Sequence, residues 1–186
     1  GTSANLTGPG DTCVGHGKHQ DFNRWFEGHS GELAVELLSQ GITGMKIWPF
    51  DQFGVPSGGP LGTRAGAGAV GPVGYHLKHE DLKKGVSYVE DIRKAVGDKI
   101  DIMVDGNWGW RIPPDQQRHR WDLKTAIAAA KAMEEYGVYW LEEPLDAYDY
   151  DGLAELRSHL TTLKLAGGEL NRGPEEIKTY LEKGCL

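Results

Sequence analysis

The sequence predicts an α/β protein that forms part of a TIM-type (β/α) barrel, about its first five strands. Two observations carry this. Short apolar strands alternate with amphipathic helices along the chain, and four successive strands end in a polar or ionisable residue: Lys46, Asp105, Glu142 and Glu169. Strictly alternating strands and helices require right-handed crossovers and a parallel sheet covered by helices. In a barrel every strand C-terminus opens onto one face, so residues at successive strand tips converge although they are distant in sequence.

Taken in order, Leu33, Ala34, Leu37 and Leu38 recur at helical spacing between Ser30 and Gln40, with Ser30 as the predicted N-cap and Gly41 just past the end. GITGMKIWPF then reads as a strand over 42–48, stopped by Pro49, with Lys46 and Trp48 on one face and Met45 and Ile47 on the other. Residues 51–75 hold eight Gly and three Pro, too many for a regular element. A loop of that length serves as a lid or as a solvated insertion. Leu82, Val86, Val89, Ile92, Arg93 and Val96 mark a helix over 80–96 closed by Gly97, and KIDIMVD forms a strand over 99–105. A second irregular stretch runs to about 121, and Asp122 caps an Ala-rich helix over 123–136 that Gly137 closes. VYWLEEP is the next strand, stopped by Pro144. A short helix around 151–160, a strand over 162–168 and a last helix opened by Pro174 complete the series.

Composition narrows the function. The 186 residues carry 27 acidic and 20 basic side chains, a net charge of −7, which argues against a nucleic-acid backbone as partner. The apolar runs are too short to span a membrane, and GTSANLTGPGD lacks the basic patch and apolar core of a secretory signal. Two Cys, Cys13 and Cys185, form neither a disulfide scaffold nor a metal-binding pair and fit a reducing, cytoplasmic setting.

Asp105, Glu142 and Glu169 lie 37 and 27 residues apart, about one βα unit each once the irregular stretch after Trp108 is set aside. Three carboxylates brought within a few ångströms repel one another and must be neutralised. An all-oxygen ligand set suits a hard cation, and Mg²⁺ leaves positions open for water and substrate oxygens. A Lys beside such an ion feels its charge and partial burial. Both favour the neutral amine, so Lys46 is expected to be a proton acceptor near neutral pH. Taken singly, each residue has an ordinary reading, as a solvated strand-end lysine, a turn-capping Glu or a charge at a helix N-terminus. Taken together at matched strand ends, they read as a site.

The strings GITGMKIWPFD at 41–51, IDIMVDGNWGW at 100–110, YWLEEPL at 139–145 and AGGEL at 166–170 carry a resemblance to the enolase superfamily. Within it, the chain is similar to the mandelate racemase and muconate lactonizing group, which includes acid-sugar dehydratases. The resemblance implies that Asp105, Glu142 and Glu169 bind Mg²⁺, with Glu142 rather than Glu143 as ligand. It also implies that Lys46 lies on the catalytic-lysine strand and Asn107 near substrate. Where many racemases have a second lysine, this chain has Trp48, which places Trp48 in the substrate pocket and disfavours racemisation. Residues 1–6 resemble the end of a first barrel strand, so residues 1–186 correspond to part of a catalytic barrel, without the capping domain and the last barrel strands. Such a piece is expected to be inactive by itself, and the full-length protein to be a homo-oligomer acting on a small sugar acid.

The resulting expectation is a Mg²⁺-dependent lyase that dehydrates an aldonic or aldaric acid to a 2-keto-3-deoxy acid. Its competitors are a racemase or cycloisomerase of the same superfamily, a non-catalytic metal-binding relative, and an aldolase using Lys46 as a Schiff-base amine. Arg24 is a candidate partner for a substrate carboxylate. His16, His19 and His29 read as solvated loop residues, and Trp25, Trp108 and Trp110 as packing over the barrel mouth.

Overall fold

The computed structural model describes residues 2–3, 28–50, 77–106, 121–169 and 171–186. Within them five parallel strands lie side by side in chain order: β1 (Thr2–Ser3), β2 (Gly44–Ile47), β3 (Asp101–Asp105), β4 (Trp140–Glu142) and β5 (Lys164–Ala166). Sequential order with every neighbour parallel is the arrangement expected of consecutive barrel units. The helices are α1 (Ser30–Ser39), α2 (His79–Val96), α3 (Leu123–Glu134), α4 (Tyr150–Ser158) and α5 (Gly173–Lys183), with one 3₁₀ turn at Gly97–Lys99 leading into β3.

The two faces of the sheet differ chemically, as a two-residue period requires. Met45, Ile47, Ile102, Val104, Leu141 and Leu165 are buried on the helix side. There they meet Leu33 and Leu37 of α1, Val89 and Ile92 of α2, Ala126, Ala129 and Met133 of α3, and Leu156 of α4. The opposite face presents Lys46, Met103, Asp105, Trp140 and Glu142. Register fixes their neighbours, with Lys46 beside Met103 and Asp105 beside Glu142. Burying the helix-side row locks the strand register, because a one-residue slip would turn every apolar side chain outward.

Local signals act as the sequence suggests at most helix ends. The Asp122 carboxylate accepts from the Thr125 N–H, Gly97 closes α2 with φ 58°, and Pro174 sits in the first turn of α5. Ser30 differs. It lies inside the first turn of α1, buried, and its hydroxyl donates to the Tyr88 carbonyl at 3.1 Å, joining α1 to α2 rather than capping α1. The first expected helix therefore has no side-chain N-cap. Cys185 is a buried free thiol, and Cys13 lies outside the described residues. Among the described residues no helix is long and apolar enough to cross a membrane.

The turn between α4 and β5 is held from a distance. One Glu134 oxygen, at the end of α3, accepts from the N–H groups of Thr161, Thr162 and Leu163 at 2.8, 2.5 and 2.9 Å and from the Thr162 hydroxyl at 3.1 Å. Burial would raise the Glu134 carboxyl, but these donors outweigh it and hold the group below its ordinary value of 4.5. A depressed carboxyl adds stability above the unfolded-state pKa and loses it as pH falls through the folded one. Glu134→Gln should therefore lower stability at pH 7 by up to about 1 kcal/mol. Urea unfolding curves of the two proteins should converge as the pH falls through the lowered carboxyl's titration. A gap that persists or widens in acid contradicts this role.

Candidate functional site

The β2, β3 and β4 tips bring three side chains together. The Lys46 Nζ donates to Asp105 Oδ2 at 3.1 Å and to Glu142 Oε2 at 2.8 Å. The three side chains are only 18%, 8% and 18% exposed, so the contacts form in a low-dielectric environment where charge counts for more than at a surface. The Trp48 side chain hydrogen-bonds Asp105, and the Lys46 Nζ stands 6.0 Å from the centroid of its ring. Trp48 thus abuts the Asp105 carboxylate at the position expected to face substrate.

Burial, then repulsion from Glu142, pushes the Asp105 carboxyl above its ordinary range, against the opposing pull of Lys46 and Trp48. Burial pulls the Lys46 amine down. The hydrogen bond to Glu142 and the Asp105 charge outweigh burial, so the amine ends above its ordinary value. With both carboxylates facing it, the Lys46 amine keeps its proton. In this arrangement Lys46 supplies the charge that neutralises the pair.

Glu169 is not drawn into the group. Strand β5 ends at Ala166 instead of continuing to 168, and Gly168, with φ 112°, turns the chain so that Glu169 sits exposed on the loop beyond. Among the described residues no three His, Cys, Asp or Glu side chains stand close enough to share an ion. Asn107, Arg24, His16, His19, Trp25, Trp108, Trp110 and both irregular stretches, up to residue 120, lie outside the described residues. His29 is exposed and pairs with Glu32 at 3.2 Å, as a solvated histidine would.

Glu143, weighed in the sequence as a turn cap or as the alternative to Glu142, holds the neighbouring loop. It is 3% exposed and has φ 44°, the one positive φ outside glycine among the described residues. One of its oxygens accepts from the N–H groups of Gly168 and Glu169 at 3.3 and 3.2 Å. Burial, then the Asp105 charge, pushes its carboxyl up to about 7, against the pull of those two N–H groups. A residue before proline is normally extended, so nothing local announces this geometry. Gly106 is tightly fitted: its N–H donates to the Glu142 carbonyl at 2.7 Å, and a Cβ there would lie 3.0 Å from Pro144 Cα.

The donor chemistry fits a hard divalent cation. Asp105 and Glu142 already direct one oxygen each at a single positive group, and both are carboxylates. The 167–169 loop carries the remaining candidate ligand, Glu169.

A parallel sheet of sequential βα units with acidic strand tips defines a barrel-type enzyme-fold domain. Across residues 30–186 the sequence matches the family described as enolase C-terminal domain-like, and the chain belongs to that family. It is 28% identical over 169 residues to a D-gluconate dehydratase from Thermoproteus tenax, covering 88% of this chain and 28% of the relative. It is 37% identical over 91 residues to an L-talarate/galactarate dehydratase from Salmonella typhimurium, covering 49% of this chain and 19% of the relative. Other similar proteins are a cycloisomerase and a racemase. Among solved structures, an enolase of the mandelate racemase subgroup from Agrobacterium tumefaciens superposes with a TM-score of 0.62 at 31% identity, over 84% of this chain and 35% of that one. The chain thus spans less than a third of the length of these two dehydratases.

Replacing Lys46 leaves two partly buried carboxylates facing each other without a counter-charge. Lys46→Met should cost about 2 kcal/mol of stability in buffer free of divalent ions. Added Mg²⁺ should restore more stability to this variant than to the unsubstituted protein. Denaturant unfolding with and without Mg²⁺ checks both, and equal stability in metal-free buffer contradicts the ion-pair account.

Proposed function

We propose that the intact protein is a Mg²⁺-dependent lyase that removes the proton alpha to the carboxylate of an aldonic or aldaric acid and eliminates the β-hydroxyl as water, giving a 2-keto-3-deoxy acid. The observation that carries this is the convergence of Asp105 and Glu142 on one positive group, the Lys46 amine. Asp105, Glu142 and Glu169 would hold the ion. When bound, Mg²⁺ supplies positive charge to the substrate carboxylate as negative charge develops on it.

The remaining steps belong to the chain. Once Asp105 and Glu142 have another cation to serve, Lys46 loses the two acceptors that keep its proton in place. Partial burial then favours the neutral amine, which takes the alpha proton. Trp48 keeps the Asp105 carboxylate oriented. Asn107 and Arg24 are proposed to contact substrate. The hydroxyl leaves with a proton as water, and the enol that remains tautomerises to the keto acid.

The dehydratases among the relatives support this reaction. Racemase and cycloisomerase relatives support a second reading of the same proton abstraction. Trp48 favours dehydration, because it presents no second amine to the opposite side of the substrate carbon. We further propose a small-molecule substrate, a cytoplasmic setting and a homo-oligomeric assembly for the intact protein.

The test supplies the intact protein with Mg²⁺ and a panel of sugar acids in deuterated water. Keto-acid formation is expected with at least one of them, and Lys46→Ala should lower kcat by about 100-fold or more. Racemised or cyclised product without keto acid rejects dehydration, and bound metal without any alpha-proton exchange rejects catalysis.

A further inference from the structure

We propose that Glu143 is a positioning residue that sets the 167–169 loop, and through it the Glu169 carboxylate, for cation binding at Asp105 and Glu142. The inference rests on the functional reading above, because it concerns how the third carboxylate is delivered to the ion.

The connection between the two strand ends runs through Glu143. Its backbone N–H donates to the Ala166 carbonyl at 2.9 Å, at the last residue of β5. Its side chain then reaches past Gly167, where an added Cβ would lie 3.8 Å from Glu143 Cγ, and accepts from the next two N–H groups, those of Gly168 and Glu169. The last residue of β5 and two positions of the loop after it, 168 and 169, are thereby tied to the one residue that follows β4. Because the Glu169 N–H is one of the donors, the clamp sets the backbone from which the Glu169 side chain leaves.

The backbone of Glu143, at φ 44°, is held in a conformation that non-glycine residues rarely adopt. Such a φ persists where surrounding contacts over-determine it, and the contacts here are those to residues 166, 168 and 169. Gly168, at φ 112°, supplies the matching turn, and its N–H points back at the Glu143 carboxyl. Partners that orient metal ligands in this way affect metal affinity by about 10- to 100-fold when removed.

Three substitutions separate reach from charge. Glu143→Gln keeps an acceptor oxygen at full length and should leave divalent binding within about threefold of the unsubstituted protein. Glu143→Asp keeps the anion but shortens the side chain by one methylene, and should weaken Mn²⁺ binding, read by calorimetry, by about 10-fold or more. In a Glu169→Gln background, Glu143→Asp should produce no further loss. Amide exchange read without metal should show Gly168 and Glu169 protected in the unsubstituted and Gln proteins and exposed in the Asp protein.

Tight Mn²⁺ binding by Glu143→Asp, or an equal loss in the Glu169→Gln background, overturns the positioning role, as does amide protection that ignores the substitution. If the unsubstituted protein binds no Mn²⁺, the functional reading and the metal-delivery role both fall, and the amide exchange still decides whether Glu143 holds the loop.

Discussion

Two carboxylates placed side by side on adjacent strands set the terms for the rest of the structure. Asp105 and Glu142 are register partners at the ends of β3 and β4, both largely withdrawn from water. Like charges directly opposite on neighbouring strands are destabilising, and burial magnifies the penalty. The arrangement persists because Lys46 reaches from β2 and places one ammonium between them. The need to neutralise this pair is what links the stability of the sheet to its proposed chemistry.

The apolar side of the sheet is what makes this possible. Met45, Ile47, Ile102, Val104 and Leu141 are inaccessible to solvent under the helices, so the strand backbones cannot shift to relieve repulsion at their tips. Side chains two residues apart on such strands keep fixed directions, and Lys46, Asp105 and Glu142 are aimed by the packing of the residues between them. Gly106 and Pro144 bring the two strand ends close enough that the Gly106 N–H and the Glu142 carbonyl pair directly. The polar cluster is therefore built on rigid elements, while the 167–169 segment, secured by hydrogen bonds to Glu143, carries the remaining acidic group.

Much of this was legible in the amino-acid sequence, and the exceptions have physical reasons. Periodicity separates Lys46 and Trp48 from Met45 and Ile47 because burial obeys the two-residue alternation of a strand. Helix stripes and the Asp122 cap are equally local. Ser30 was misread because its hydroxyl prefers the Tyr88 carbonyl, 58 positions away, over its own helix end, and no local rule sees such a partner. Glu169 was placed at a strand tip, but the strand ends three residues earlier, at a glycine turn whose geometry depends on contact with β4. Glu143 is weighed in the sequence only as a turn cap or as the alternative to Glu142; its left-handed backbone and its hold on residues 168 and 169 follow from tertiary contacts that no local rule sees.

The claim that Asp105 and Glu142 form a seat for a divalent cation is tested most directly by anomalous diffraction from crystals of the intact protein grown with Mn²⁺. A manganese peak bonded to oxygens of both Asp105 and Glu142, with the Lys46 amine withdrawn from them, is the predicted result. A structure at saturating Mn²⁺ in which Lys46 still bridges the two carboxylates and no peak touches either would contradict it.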